Sequence, residues 1–330
     1  MGDPLEKVSK AVNWEIFRPV LNKVFRKKTA AQGGRPAWDY VLMFKILLLQ
    51  AWYAIADDNT EYMINDRLSF QRFLGLALGD KVPDAKTIWL FRDTLSKSGA
   101  DRELFGLFTG QMERQGVITR EGSLVDATFV EVPRQRNSRE ENKQIKEGVT
   151  PEEWKKEEKS AKLRQKDVDA RWAKKNNETH YGYKDHVKVD RKRKMIVDFT
   201  VTDASVHDSQ EFEELVDDGD QEIHADSAYV GKELHERIHE KNPNVQLQIN
   251  EKGYRNKPLT EEQKASNREK SRTRARVEHV FGHMTNSMGG LLIRSIGLRR
   301  AHCIVTFKNL GYNLSRYAYL VHAKKVPIPA

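Results

Sequence analysis

The sequence predicts a mixed α/β fold: a sheet flanked by helices, preceded by an all-helical segment. Three observations carry this. From about Trp38 to Gln115 apolar residues recur at helical spacing, and Trp38 to Trp52 is apolar all round, as a central bundle helix is. Gly116 and Gly122 then bracket a change of period, and from Ser123 strand-like and helix-like runs alternate. The resulting order (strand, strand, strand, helix, strand, helix, strand, helix) suits a mixed sheet with helices on both faces.

Helices are expected at Trp38–Trp52, at Thr60–Leu68, after Pro83-Asp84 and after Asp101. Asp84 is the candidate N-cap of the third, with Ile88, Phe91 and Leu95 as its apolar stripe. Strand one is Ser123–Val130. Residues 134–178 then form a charged excursion with few large apolar side chains, too polar for a core: part helix, part loop. A hairpin follows, Tyr181–Asp190 and Lys194–Thr202. It sets Tyr181, Tyr183, Val187 and Val189 on one face and Lys184, His186 and Lys188 on the other, the polar face reading as a solvated edge. Asp208 with Glu211 three residues on starts a helix with a capping-box spacing. Strand Gln221–Ala228, helix Lys232–Glu240 and strand Val245–Asn250 come next. The charged linker Glu251–Asn267 leads into a basic helix, Arg268–Met284. Arg294–Leu298 reads as a short edge strand, and His302–Val321 as a closing helix. Two domains are expected, a helical one over residues 1–120 and an α/β one over 121–330.

Lys and Arg outnumber Asp and Glu by 57 to 48, for a formal charge of +9. The surplus is concentrated in the 134–178 excursion and in residues 251–300, which points to a polyanion partner. One cysteine, Cys303, excludes an intramolecular disulfide framework and fits a reducing interior. The opening residues carry no signal-peptide pattern, and the apolar run Tyr40–Ala56 holds Lys45 and Gln50 and is short for a bilayer. A cytoplasmic protein with no membrane partner is expected.

Among the acidic residues, Asp126 and Asp226 lie inside strand-like runs, Leu124-Val-Asp-Ala-Thr-Phe129 and Ile223-His-Ala-Asp-Ser-Ala228, where a carboxylate is costly without a positive partner. Glu278 lies in the basic helix. Two strand aspartates and a helix glutamate form a hard-oxygen set suited to two Mg²⁺ or Mn²⁺ ions acting on a phosphodiester; a surface ion pair is the competing role for each carboxylate alone. Arg274, one turn before Glu278 on the same helical face, is placed to orient the Glu278 carboxylate or hold a phosphate, or else to make a plain helix ion pair. Arg272 and Arg276 lie on other faces and are expected at DNA backbone or solvent. Lys184 is a candidate phosphate contact. Trp172 and Trp154 are aromatics within the charged excursion, fit either to stack on a base or to anchor the segment. In the helical domain, Asp84–Ser96 is the candidate recognition helix, with Lys86, Thr87 and Arg92 available to DNA; a dimerisation bundle is the alternative.

With those residues in hand, the chain resembles bacterial insertion-sequence transposases of the insertion-sequence-five group, relatives of the Harbinger transposases, which carry an Asp-Asp-Glu triad. The matching stretches are Val125-Asp-Ala-Thr128, Asp169-Ala-Arg-Trp172 with Lys174-Lys175, Tyr181-Gly-Tyr-Lys184, Ser205-Val-His-Asp-Ser209, Ala225-Asp-Ser-Ala-Tyr229 and Arg276-Val-Glu-His-Val-Phe-Gly282. Phe44-Lys-Ile-Leu-Leu-Leu-Gln-Ala-Trp-Tyr53 and Leu68-Ser-Phe-Gln-Arg-Phe-Leu-Gly75 resemble the group's N-terminal domain. The resemblance implies a ribonuclease-H-like fold with Asp126, Asp226 and Glu278 as ligands of two Mg²⁺ or Mn²⁺ ions. It implies cleavage of double-stranded DNA at terminal inverted repeats, joining of the 3′-hydroxyl to target DNA, a homodimer in a synaptic complex, and nucleoid association when bound. One departure stands out: relatives often have a tyrosine seven residues before the glutamate and a lysine seven after, where this chain has Ser271 and Thr285. A DNA-binding derivative without catalysis and a metal-dependent nuclease without strand transfer are the alternatives.

Overall fold

The computed structural model describes residues 2–26, 37–156, 160–175, 177–254 and 256–326. In chain order, helices α1 (Pro4–Ala11), α2 (Arg18–Phe25), α3 (Tyr40–Tyr53), α4 (Asp57–Asp66), α5 (Leu68–Leu74), α6 (Ala85–Ser98) and α7 (Ala100–Arg114) precede strand β1 (Ser123–Glu131). Short helices α8 (Arg139–Lys146), α9 (Glu152–Lys155) and α10 (Ser160–Gln165) follow, then β2 (Arg171–Lys175), β3 (Glu178–Asp190) and β4 (Ile196–Asp203). The chain ends with α11 (Phe212–Leu215), β5 (Glu222–Ala225), α12 (Lys232–Lys241), β6 (Gln246–Ile249), α13 (Glu261–Ser287) and α14 (Leu298–His322). Two compact units result: residues 1–118, 282–290 and 303–330 form one, and residues 119–281 and 291–302 the other.

The first unit is helical. Asp39 and Asp84 accept the backbone N–H of Leu42 and Thr87 at 2.9 and 2.7 Å, satisfying donors that a helix start leaves open. Helix α3 is buried almost all round, from Val41 to Trp52, which is why it shows no polar face. Each of its large apolar side chains contributes about 1.5–3 kcal/mol by leaving water. The Trp52 indole donates to the Gly311 carbonyl at 2.8 Å, and a Cβ at Gly311 would meet that nitrogen at 3.0 Å, so the close approach favours glycine. Among the described residues no single helix is long and apolar enough to cross a membrane; the bent pair α3 and α4 reaches that length and composition, but α3 is core. The closing helix from Cys303 onward belongs to this unit, whereas the sequence reading set all of 121–330 apart. The reason is a shared apolar core: Phe307 packs on Phe44, and Tyr317 on Phe108.

The second unit holds the sheet. Its order is β2-β3-β1-β5-β6, with β4 also paired to β3. β3 is long because it serves three partners: Glu178–Gly182 pair with β2, Tyr183–Val189 with β4, and Gly182–Asp190 with β1, all antiparallel. β1, β5 and β6 are parallel. β2 arises inside the segment read as excursion; its Arg171-Trp-Ala-Lys-Lys175 run shows too little apolar alternation to announce a strand. The excursion also carries a small core of its own. Trp154 is fully buried, its indole donating to Glu141 at 2.7 Å with Lys162 over the ring, so it anchors the segment and offers no face for a base. Residues 157–159 and 176 of that segment lie outside the described residues. Arg294–Leu298 is not a strand; the sheet contact is a single parallel bridge two residues earlier, Leu292 to Glu131. Helix α13 begins at Glu261, inside the predicted linker.

Gly182 sits where β3 passes from β2 to β4, at φ +146°, and a Cβ there would lie 2.2 Å from the Val130 carbonyl oxygen. Gly182→Ala is expected to lower stability by about 3 kcal/mol or more, read as a shifted urea midpoint; an unchanged midpoint would show that β1 has room to move.

Candidate active site

Strand β1 enters the core with Ser123, Leu124 and Val125 and emerges from it at Asp126, which is why a carboxylate is tolerated there. The parallel register pairs Ser123 with Ile223 and Leu124 with His224. Asp126 and Asp226 each stand two residues beyond the last β1–β5 pair, where the parallel pairing ends: Asp126 is within β1, still paired with Val187 of β3, and Asp226 follows the end of β5. Asp226 lies just past β5, not inside it as the sequence reading had it. It caps the turn Ser227–Tyr229, accepting from the Ala228 N–H at 2.8 Å. Turn residues at the strand's end leave the ladder to satisfy that backbone.

Asp126 accepts from the Ala127 N–H at 2.9 Å and from the Arg274 guanidinium at 3.0 Å. Its side chain is only 13% exposed. Burial pushes its pKa up; the Ala127 N–H and Arg274 oppose this, and the charge of Asp226 adds to it. Two part-buried carboxylates that repel each other present the oxygen donors a hard divalent cation takes.

Glu278 is not gathered with them. It is exposed on α13, one turn past Arg274, and among the described residues no group of three or more His, Cys, Asp or Glu is placed to hold a metal ion. The helix brings Arg274 to Asp126 in its stead. The reason is electrostatic: a third carboxylate beside two others is unfavourable until cations lie between them, while a guanidinium neutralises Asp126 directly.

Around the pair lies a second set of charges. Lys184, expected to reach a phosphate, is buried: it donates to Asp208 at 2.8 Å and to the Val206 carbonyl at 2.6 Å, and lies over the Phe129 ring. The whole run Tyr181–Asp190 is buried, so the polar face of the hairpin is not a solvated edge. β3 is central, and carboxylates beyond β4 meet its cations: Asp208 meets Lys184, and Asp217 and Asp220 meet Lys188. His186 donates to or accepts from Thr202 at 2.9 Å; burial pushes its pKa down to about 4, against the pull of Asp208, so it is neutral at pH 7. Lys175, on β2, stands half exposed 4.0 Å from Asp208, and its charge also favours the ionised form of Asp126.

The remaining candidates divide. Lys174 is exposed on β2, and Trp172 is 42% exposed with its ring against Tyr181 and the Arg134 guanidinium 5.7 Å from its centre. Arg272 and Arg276 are exposed on α13, Arg276 reaching the Arg191 carbonyl at 3.1 Å. On α6, Lys86 is exposed and Thr87 half-buried. Arg92 is not an open contact: both its terminal nitrogens bind Asp57, at 2.7 and 2.6 Å, and one also meets Gln50. It lies on the inward side of α6, where a guanidinium needs a carboxylate partner. Tyr229 enters the sequence analysis only as the last residue of the Ala225-Asp-Ser-Ala-Tyr229 stretch, with no role of its own. It is core by its ring, which packs on Phe212 at 4.9 Å, and burial, with the charges of Asp126, Asp208 and Asp226, pushes the pKa of its hydroxyl well up.

Comparisons with known proteins agree in kind. Residues 118–314 match the family described as Transposase DDE domain, and residues 1–94 match the one described as Transposase domain (DUF772). Among solved structures, the chain is similar to that in a cryo-EM structure of the piggyBac transposase synaptic complex with hairpin DNA. The identity is 11% and the TM-score 0.47, over 100% of this chain and 78% of that one.

Proposed function

Since this chain belongs to the Transposase DDE domain family and is a DNA transposase, we propose that it binds double-stranded DNA at terminal inverted repeats, cuts at the element's ends and joins the freed 3′-hydroxyls to target DNA. Asp126, Asp226 and Glu278 are its catalytic carboxylates in this reading. The observation that carries it is the register: two aspartates two residues beyond paired Leu124 and His224, where the parallel pairing of adjacent strands ends, with a guanidinium already on one of them.

Asp126 and Asp226 would hold Mg²⁺ or Mn²⁺, two ions per site, with Glu278 brought in by a side-chain movement on α13. Such ions supply, when bound, the charge that activates the attacking hydroxyl and steadies the leaving oxygen. The chain's own part is to present part-buried carboxylates and to exclude competing water. Arg274 favours the ionised form of Asp126 against the pull of burial, and once released is placed to meet a phosphate. Lys175 stands at the same crevice as a phosphate contact, with Trp172, Lys174, Arg272 and Arg276 as exposed contacts for DNA backbone. Residues 1–120, through Lys86 and Thr87 on α6, read the element's end or pair two copies, and a homodimer brings two ends together. Residues 121–330 are read as a ribonuclease-H-like catalytic domain of the insertion-sequence-five, Harbinger-related type; an antiparallel group of four strands, β1 to β4, continued from β1 by the parallel β5 and β6 supports this reading. The reaction takes place on cytoplasmic, nucleoid DNA.

The test is incubation of the full chain with supercoiled DNA carrying the element's ends. Nicks at those ends with Mg²⁺ or Mn²⁺, none in EDTA, and 3′-ends joined to target DNA are the expected result. Cutting that persists in EDTA would sink the cation-dependent mechanism. Cut ends that never join would favour the nuclease, and binding without cutting the non-catalytic derivative.

A further inference from the structure

Arg274 is held at a single point. Its Nη1 donates to Asp126 Oδ2 at 3.0 Å, the one hydrogen bond its side chain makes among the described residues, and its Nε is buried without an acceptor. A guanidinium carries five donors in a planar fork and is best satisfied by two oxygens at once. Asp126 gives it one. Both side chains are largely out of water, so the pair is not screened as a surface pair is.

The same bond occupies Asp126. One carboxylate oxygen accepts the Ala127 N–H at 2.9 Å and the other takes Arg274. A divalent cation on that carboxylate would lie close to the guanidinium, and two positive groups at short range repel, the more so away from water. Glu278, one turn further along the helix, is exposed and not grouped with the pair. A DNA phosphate reverses the balance, because it offers the guanidinium the two oxygens that Asp126 does not. We propose that the Arg274–Asp126 ion pair is a latch: in the DNA-free protein it bars a divalent cation from Asp126, and a backbone phosphate of bound DNA opens it by drawing the guanidinium away. The inference rests on the reading of Asp126 and Asp226 as cation ligands. DNA and cation then bind cooperatively, and by linkage each raises the affinity of the other by the same factor, typically about 5- to 150-fold.

The test is Mn²⁺ titration of the full chain, followed by electron paramagnetic resonance of free Mn²⁺. It is run without DNA and with a short duplex of the element's end, the duplex's own Mn²⁺ binding subtracted. The parent is expected to bind Mn²⁺ about fivefold tighter or more with the duplex than without it. Arg274→Gln should bind it that much tighter without DNA and gain little from the duplex; a misfolded variant does not show a gain in affinity. Arg268→Gln, at an exposed residue of the same helix, removes the same charge and leaves the Asp126 contact in place, so it should stay near the parent without DNA. Arg274→Gln with parental affinity, or Arg268→Gln with an equal gain, would overturn the latch. So would a parent that binds Mn²⁺ equally with and without the duplex. In each of these cases the cation site stands if Asp126→Ala abolishes the Mn²⁺ bound with the duplex. Asp126→Ala introduced into Arg274→Gln should remove the gain; if the gain persists, the cation site falls and the latch with it.

Discussion

Asp126→Ala abolishes Mg²⁺-dependent nicking of end-containing DNA, by about 1,000-fold or more, while its affinity for the same DNA changes little at matched salt. A thousandfold loss is about 4 kcal/mol of transition-state stabilisation, the scale expected when a cation loses one of its buried carboxylates. DNA affinity is insensitive because it comes from phosphate contacts by lysines and arginines on exposed surface, and the variant frees a guanidinium and removes a negative charge. Asp226→Ala is expected to behave alike. The double variant should be no worse than either single one, because groups that act as one unit are not additive. Glu278→Ala gives the sharper reading. Its side chain is exposed and not grouped with the pair in this structure, so a loss as deep as that of Asp126→Ala would mean that Glu278 is brought to the pair on loading. Nicking by Asp126→Ala at the parental rate would remove Asp126 from the site.

Lys188→Ala costs about 3–5 kcal/mol of stability, the range for stripping one partner from a buried ion pair. Lys188 on β3 has no exposed side-chain surface, and its ammonium bonds Asp220 at 2.5 Å and Asp217 at 2.8 Å. The two acids respond differently to the same lysine. At Asp220, which is fully enclosed, burial prevails over Lys188 and the carboxyl pKa is raised. At Asp217, which is partly open, burial is outweighed by the Lys188 bond and charge together with Arg120, and the pKa is lowered. Removing Lys188 leaves Asp220 enclosed without its counter-charge. Protonation relieves that, so the destabilisation should be largest near neutral pH and shrink as the pH falls through the raised Asp220 pKa. Urea denaturation at two pH values checks both the size and the sign. The exposed pair Lys10–Glu6, at a similar 2.6 Å, is the contrast: Lys10→Ala should leave the urea midpoint almost unchanged. Equal effects at the two lysines would mean that burial does not set the value of these pairs.

Several elements were legible because their cause is local. Asp84 caps α6, and α3 is apolar all round because nothing polar faces it. The strand patterns of β1, β3 and β4 follow from side chains alternating along an extended backbone. Other elements were not legible. Helices α1 and α2 are short and lean on the rest of their unit. β2 owes its existence to the ladder β3 offers it. For the candidate site, sequence singled out Asp126 and Asp226 because acids in apolar strand runs need a reason, but misjudged the partners of Arg92 and Lys184 and the neighbour of Asp126. Each contact that decided these lies between residues 24 or more positions apart: Lys184 with Asp208, Arg92 with Asp57, and Arg274 with Asp126 148 positions away.

By itself, then, the sequence determined the helical segment, the strand-rich segment, the basic charge and the two aspartates that stand out from their surroundings. Only the tertiary structure decided which charges meet. It buried Lys184 and Lys188 with their own acids, and set Arg274 rather than Glu278 against Asp126. Periodicity and capping act over a few residues and can be read along the chain. The energy of a charge depends on its distance from other charges and on how much water remains between them, and both are properties of the folded arrangement.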